Sequence, residues 1–465
     1  MQDHFKSVFS EPNDDLLLNL KCPSPEITQP LPDLNLTCQD FIEAINEMKA
    51  ESSCPHSCIP AKVFKCCKLS LCKPLKIFWE KSFLLGTVPK SYKLQQIIPL
   101  HKKGPKSNSK NFRPISLTSH VVKIFERVLR KKLVTFLELN NIINKNQHGF
   151  RKNHSCLTQL VHHVDIILNH LINNSDVDSI YVDFAKAFDK VDHKILIEKL
   201  KLYKLTDPYI NWISDFLIDR HQYVFLNNVR SYEAEVKSGV PQGSVLGPLF
   251  FILYINDLSQ NIFNSHILTF ADDTKLTHPI NTINDTFSLQ KDLDNVINWS
   301  KNNNMALNKD KFELICYKHK NKNNNLRVLE ELPFHSSFKH YETSSNTFIS
   351  ESLCVKDLGV FINSNLDWSD HILNLSKMGK RLSFWILNVF YNRSKEVMLT
   401  LFNSLVRSRL EYCCQIWNPF QIQHIDAIEN VQRVFTRKIQ YMNNYSYWER
   451  LKKLNIMSLQ RRREK

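Results

Sequence analysis

The chain has 465 residues, 43% of them hydrophobic, which is enough apolar material for roughly three modules at about 150 residues each. It carries 61 Lys and Arg against 46 Asp and Glu, a formal net charge of +15 that points to a polyanionic partner. No apolar run reaches the ~18–20 residues needed to cross a bilayer, and the first residues lack the basic and apolar regions of a secretory signal. The expectation is an intracellular protein of the nucleus or cytoplasm, without a membrane partner.

The charge is unevenly spread. Residues 1–60 hold three basic and ten acidic side chains, residues 90–132 twelve and one, and residues 377–465 seventeen and six. Two basic blocks therefore flank the middle of the chain, an arrangement that solvated helix faces explain less well than contact with nucleic acid. The twelve cysteines read as reduced thiols. Five of them crowd into Cys54, Cys58, Cys66, Cys67 and Cys72, with His56 among them. Their spacing suits zinc knuckles poorly, and packing is expected instead, as it is for Cys413 and Cys414.

In chain order, residues 1–37 are acidic and punctuated by Pro12, Pro23, Pro25, Pro30 and Pro32, the pattern of a linker. Helical periodicity over 38–50 and 61–85 marks an N-terminal helical extension over 38–80. A strand at 95–100, a basic loop at 101–110 and helices at 119–139 and 156–172 follow. Residues 179–184 read as a strand ending near Asp183, 192–203 as a helix, and 222–226 with 231–237 as a hairpin around Asn227 and Asn228. A helix at 245–260 leads to a second hairpin, 267–270 and 274–277, with Asp272 and Asp273 at its tip. Beyond a helix at 286–303 and a strand at 312–317, residues 318–327 read as an Asn/Lys-rich surface loop. A weakly patterned stretch to about 350 and a β-like piece at 355–362 close a central domain over 81–362. Residues 363–465 form a basic helical module in which Met398, Leu401, Phe402, Leu405 and Leu410 make a core stripe, with Arg407 and Arg409 off it.

Adjacent carboxylates at a hairpin tip repel one another, so the pair Asp272 and Asp273 suggests a cation that neutralises it. With Asp183 they supply three oxygen ligands on neighbouring strand ends. Such a set suits two magnesium ions, and a metal pair about 3.5–4 Å apart can clamp the attacking and leaving oxygens of a phosphoryl transfer. Between the carboxylates, Gly239-Val240-Pro241-Gln242-Gly243 opens a helix with a backbone able to approach a base pair closely.

The order Tyr181-Val182-Asp183-Phe184-Ala185-Lys186-Ala187-Phe188-Asp189, then Gly239-Val240-Pro241-Gln242-Gly243, then Phe270-Ala271-Asp272-Asp273 resembles motifs A, B and C of reverse transcriptases. Asn111-Phe112-Arg113-Pro114-Ile115-Ser116-Leu117 and Gln147-His148-Gly149-Phe150-Arg151 look like fingers motifs of the non-LTR (LINE-type) retrotransposon branch, and Leu307-Asn308-Lys309-Asp310-Lys311 looks like its motif D. Phe270, Leu358-Gly359-Val360 and Leu410-Glu411-Tyr412-Cys413 resemble the jockey-like, chicken-repeat-like group. The similarity runs over about 38–455. No apurinic-type endonuclease is expected ahead of Thr37 and no ribonuclease H after Trp448.

The resemblance implies an α+β right-hand polymerase fold, with fingers, a palm built on an antiparallel sheet and a helical thumb. It implies an RNA-directed DNA polymerase that extends a DNA 3′ end on an RNA template with dNTPs and two Mg2+ ions, Mn2+ being an alternative. Asp183, Asp272 and Asp273 then surround the metals, and Lys311 is the candidate proton donor to pyrophosphate. Lys102 and Arg113 grip the triphosphate, although Lys103 adjoins Lys102. Phe188 closes against the sugar 2′ position, and Gln242 lies beside the incoming base and sugar. Asp189 is assigned a structural role. A catalytically inactive remnant that binds nucleic acid is the alternative reading. A viral RNA polymerase is disfavoured by Ala271, where glycine is usual, and by Phe188.

Overall fold

The computed structural model describes residues 1–11, 13–18, 25–55, 58–319, 341–343 and 347–465. From residue 320 on, the expected surface loop lies outside the described residues, as do most of the weakly patterned stretch after it, His56, Pro12 and Pro23.

Thr37 begins the helical extension as the sequence requires. Its side chain accepts from Asp40 N while Asp40 bonds back to Thr37 N, a capping box that fixes the start of α1 (Cys38–Asn46). The helix expected at 61–85 is broken at Cys67 into Ala61–Cys66 and α2 (Lys68–Leu84). Cys72 packs inward while Cys66 and Cys67 are exposed, so only the first of these three thiols does the packing expected of them. Trp79 of α2 stacks on Phe125 with centroids 4.6 Å apart, and Trp212 meets both edge-on. The extension thus shares one core with the elements that follow it.

In the fingers, β1 (Leu94–His101) pairs antiparallel with β2 (Phe112–Leu117), after which α3 (His120–Leu139) and α4 (Cys156–Ile172) lead to the palm strand β3 (Asp176–Val182). Helices α5 (His193–Leu202) and α6 (Asp207–Leu217) come next. The second was not anticipated, although Thr206 stands at its N-cap and Pro208 in its first turn, both start signals. β4 (His221–Leu226) runs parallel to β1 and reverses through Asn227 and Asn228, both at positive φ, so that Leu226 faces Val229. This is the two-residue turn that an asparagine pair favours. The partner strand expected at 231–237 pairs only at Ala234–Glu235.

The palm sheet is completed by β5 (His266–Phe270), β6 (Asp273–Ile280) and β7 (Glu313–Tyr317), with α7 (Gly247–Ile255) and α8 (Ile283–Asn302) packed nearby. Its strand order is Ser350–Glu351, β7, β3, β6, β5. β3 is central and antiparallel to both neighbours, with Val182 opposite Thr274 and Ile180 opposite Leu314. A hairpin of β8 (Cys354–Asp357) and β9 (Val360–Asn363) then turns through Leu358 and Gly359 at φ 44° and 93°. The C-terminal module is helical, led by α9 (Ser369–Val389) and α10 (Ile422–Arg437).

One stripe of that module departs from the reading. Met398, Phe402 and Leu410 are buried, but Leu405 is exposed and Val406 takes its place. The cause is a π-helical turn over Phe402–Arg407, which widens the helix and advances the buried face to every fourth residue. Among the described residues no helix is long and apolar enough to cross a membrane. The whole is an α+β fold whose palm sheet is antiparallel except at the short edge strand Ser350–Glu351, which runs parallel to β7.

Candidate active site

Three chain segments meet at the end of β3. Asp183 follows the strand directly, and its carbonyl accepts from Asn308 N at 2.8 Å while Ala185 N donates to Ala306 O at 2.8 Å. That short pairing lays the 307–311 segment along the chain leaving β3. It carries Lys311 Nζ to 2.7 Å from Asp183 Oδ2. Next to them, β5 and β6 join through Ala271 and Asp272, with Phe270 paired to Asp273 and Ala271 at φ 56°.

A cleft of about 900 Å3 opens over this junction and is lined by Lys102, Arg113, Asp183, Phe188, Gln242, Asp272 and Lys311. Seven of the eight residues picked from sequence therefore meet in one space. Asp273 does not line it. Its side chain lines an adjoining cavity of about 420 Å3, with Asp183, Lys311, Lys275 and Asp357. Asp183 and Lys311 border both.

The electrostatics are those of crowded like charges. Burial and the Asp183 carboxylate raise the pKa of Asp272, against the lowering pull of Arg113 and Lys102. Burial and the carboxylates of Asp272, Asp357 and Asp183 push Asp273 up to about 6, with Lys275 opposing. Lys102 is lowered by burial and by the nearby Arg113, Lys311 and Lys103. An anion cluster thus faces a cation cluster, and each lacks full neutralisation within the protein. Among the described residues no three His, Cys, Asp or Glu side chains form a metal-holding group. The two carboxylates on the cleft are still the hard-oxygen donor set that magnesium accepts when waters and phosphates complete its shell.

The other wall is the loop before α7. Ser116 N donates to Gln242 O at 2.8 Å, and a Cβ on Gly243, at φ 130°, would meet Ser116 O at 2.4 Å, so only glycine fits there. Gln242 Nε2 donates to Asp189 Oδ1 at 2.6 Å. The Phe188 ring is stacked on Phe251 at 4.3 Å and 15°, and meets Phe150 edge-on at 6.0 Å.

Three residues that support this geometry escaped the sequence reading. Glu126, fully buried on α3, accepts from Val245 N and Leu246 N at 2.7 and 2.9 Å and so fixes the start of α7. Gln147 Oε1 accepts from Ala271 N at 2.9 Å and Gly149 N at 2.7 Å, clamping the turn that presents Asp272. Lys275 makes a buried ion pair with Asp357. Gln147 stood inside a quoted motif, but only the fold shows what it holds.

The N-terminal stretch also differs from the linker expected. Phe5 is buried against Ile97 and Val224, and Phe5, Val8 and Phe9 line the cleft. Gln2 Nε2 donates to Gln222 O at 3.0 Å and Ser10 N to Ser238 Oγ at 2.8 Å. Apolar residues spaced three and four apart over Phe5 to Phe9 were the available signal, and the surrounding acids and prolines hid it.

Comparison with known proteins identifies the family. The profile of the family "Reverse transcriptase (RNA-dependent DNA polymerase)" matches residues 100–361. The chain is 30% identical over 362 residues to the probable RNA-directed DNA polymerase from transposon X-element of Drosophila melanogaster, covering 76% of this chain and 38% of that protein. It is 27% identical over 379 residues to the RNA-directed DNA polymerase from mobile element jockey of the same fly, covering 78% and 39%. The jockey protein of Drosophila funebris is 24% identical over 451 residues, covering 94% and 48%. The chain spans less than half the length of each. The chain belongs to the reverse transcriptase family, within its non-LTR retrotransposon branch.

Proposed function

We propose that this chain is the RNA-directed DNA polymerase of a non-LTR retrotransposon, extending a DNA 3′ end on an RNA template. The observation that carries the reading is the cleft in which Asp183 and Asp272 face Lys102 and Arg113, with Phe188 and Gln242 on the adjoining wall. Lys102 and Arg113 bind the triphosphate of the incoming nucleotide, whose negative charge offsets the burial and the neighbouring cations that lower the Lys102 pKa. Phe188 forms the floor under the sugar, held flat by Phe251. Gln242, steered by Asp189, contacts the sugar and base.

Asp183 and Asp272 would hold magnesium, with Asp273 contributing from the adjoining cavity. Bound there, two such ions supply the positive charge that activates the primer 3′-hydroxyl and stabilises the leaving pyrophosphate. Lys311 now neutralises Asp183 at 2.7 Å. Its ammonium is free to protonate pyrophosphate once Asp183 has another cation as partner. The basic C-terminal module grips the template–primer backbone.

Primer extension with dNTPs and magnesium on matched RNA and DNA templates tests the proposal. The expected result is extension on RNA, abolished by Asp272→Asn while template–primer binding persists. Losing a ligand carboxylate should lower the rate by about 10³ or more. Binding without extension by the unaltered chain would establish the inactive-remnant reading instead.

A further inference from the structure

We infer that the outer face of α2 is a docking groove for a protein partner, one that presents a helix with an apolar stripe flanked by carboxylates. Helix α2 is apolar on both sides. Cys72, Leu75, Trp79 and Phe83 are buried, whereas Pro74, Ile77 and Phe78 face solvent, the last two with 56% and 40% of their surface exposed. A helix that is hydrophobic all round belongs in an interior, and among the described residues nothing covers the outer half of this one. The exposed residues are not scattered. At helical spacing with Lys81, and with Leu85 just past the helix end, they line a groove of about 700 Å3. Contiguous exposed apolar surface of this kind marks an interaction site, where single exposed side chains would not.

The groove is built before any partner arrives. Its second wall is the chain from Leu85 to Pro89, tied back by Thr87 N donating to Ser82 O at 3.0 Å and by Ser82 Oγ donating to Thr87 O at 2.5 Å. Beneath it, Trp212 Nε1 donates to Ser82 Oγ at 3.1 Å and Val88 N to Asp215 Oδ2 at 2.6 Å, so α6 holds both walls in place. A site fixed in this way needs little ordering on binding, which leaves more of the apolar burial as affinity. Its lining residues are none of those around the carboxylates, and it lies outside residues 100–361, which the family profile matches. The inference therefore does not rest on the polymerase reading.

Charge selects the occupant. Lys73 and Lys81 line the groove and no acidic residue does. Among the described residues neither lysine is in an ion pair, whereas Lys76 on the same helix is paired with Glu80 at 3.6 Å. The two lysines lie about two helical turns, roughly 12 Å, apart along the helix. Carboxylates two turns apart on a facing helix match them, and its apolar stripe fills the groove between. A nucleic-acid strand would also meet the lysines, but of the groove's apolar side chains only Phe78 offers a base a ring to stack on, and Pro74, Ile77 and Leu85 would desolvate phosphates without pairing them.

The experiment measures binding of the full chain to a fluorescein-labelled helical peptide of about 18 residues, with leucines on one stripe, glutamates on its flanks and alanine elsewhere. Its control carries lysine for every glutamate. The glutamate peptide should bind with a Kd of roughly 10–100 μM, and about tenfold or more tightly than the control. Ile77→Asp should weaken it about tenfold or more, and Lys73→Glu/Lys81→Glu should reverse the order of the two peptides. All three side chains are exposed, so melting should match that of the unaltered chain. No binding of the glutamate peptide up to about 1 mM, or equal affinity for both peptides, overturns the inference. So does light scattering that shows a dimer dissolved by Ile77→Asp, which would make a second copy the occupant. Binding of an oligo(rA) strand that Lys73→Glu/Lys81→Glu abolishes would make the face a nucleic-acid surface and overturns it as well.

Discussion

Gln242 and Asp189 are joined side chain to side chain, Nε2 donating to Oδ1 at 2.6 Å, so a residue assigned only a structural role aims a side chain on the wall of the cleft. Burial pushes the Asp189 carboxyl up to about 6, partly offset by Gln242 and Lys186. A carboxyl raised from 3.8 favours the fold only while it stays protonated. Its stabilising effect is full below about pH 3.8 and is lost as pH rises through 6. Asp189→Asn keeps an oxygen for Gln242 and removes the buried charge. It should stabilise the protein by about 1–2 kcal/mol above pH 7 and by nearly nothing below about pH 4. Urea unfolding at the two pH values measures this, and a gain independent of pH contradicts the assigned cause. Asp189→Ala should instead raise KM for dNTP by leaving Gln242 unsteered.

Gly149 packs on the turn that presents Asp272. A Cβ there would come within 2.4 Å of Ala271 N and 3.0 Å of Gln147 Oε1, and the first is backbone that cannot step aside. Gly149→Ala should destabilise the fold by about 1–3 kcal/mol and depress extension further than that loss explains, because Ala271 and Asp272 must move together. Melting and extension rates on the same preparation separate the two effects. Normal activity at a normal melting point would show that the turn tolerates the shift.

The parts of the fold legible beforehand were those written in local pattern. The hairpin at Asp272, the strand before Asp183 and the helices at 120–139, 156–172 and 283–302 carry their periodicity and caps in consecutive residues. Motif order picked all eight candidate residues, and seven of them line one cleft. What stayed hidden depends on contacts between distant segments. Asp272 and Asp273 were treated as one ligand pair, yet one sits in the turn and the other opens β6, and they border different cavities. Gln147, Glu126 and Asp357 act on residues 82 to 124 positions away, which no window of sequence displays. The π turn at Phe402–Arg407 shifted a buried stripe by one residue, because ordinary helical spacing assumes 3.6 residues per turn.

Arg407 ends that turn, Arg409 follows it, and the two differ in availability. Arg407 is half-buried and lies 3.8 Å from Glu411, whose carboxylate also takes Arg462, whereas Arg409 is exposed. If the C-terminal module grips phosphates, binding of a duplex should weaken with salt at a slope of about −0.9 per contact on B-form DNA. Arg409→Ala should reduce that slope by about one contact, and Arg407→Ala by less. Fluorescence anisotropy across a salt series reads both. A slope unchanged by Arg409→Ala would place the basic face of this helix away from the nucleic acid.

On the proposed polymerase reading, Phe188 carries the choice between deoxyribonucleotides and ribonucleotides. The ring follows Asp183 by five residues on a short 3-10 turn, lines the same cleft, and is fixed by Phe251 stacked beneath it at 4.3 Å. A ring held flat between a second aromatic and an incoming sugar leaves no space for a 2′-hydroxyl, whereas a mobile ring would yield to one. Phe188→Ala should therefore raise ribonucleotide use relative to deoxynucleotide, with a selectivity change of ~2–3 kcal/mol, about 30- to 150-fold. Phe251→Ala removes only the support, so it should relax selectivity in the same direction by a smaller factor while leaving the Phe188 side chain in place. Competition of dTTP against UTP on poly(rA) with an oligo(dT) primer measures both variants. Equal discrimination by the unaltered chain and Phe188→Ala would move the gate elsewhere. Relaxation by Phe188→Ala but not by Phe251→Ala would show that the ring excludes the hydroxyl by bulk alone, without needing to be held.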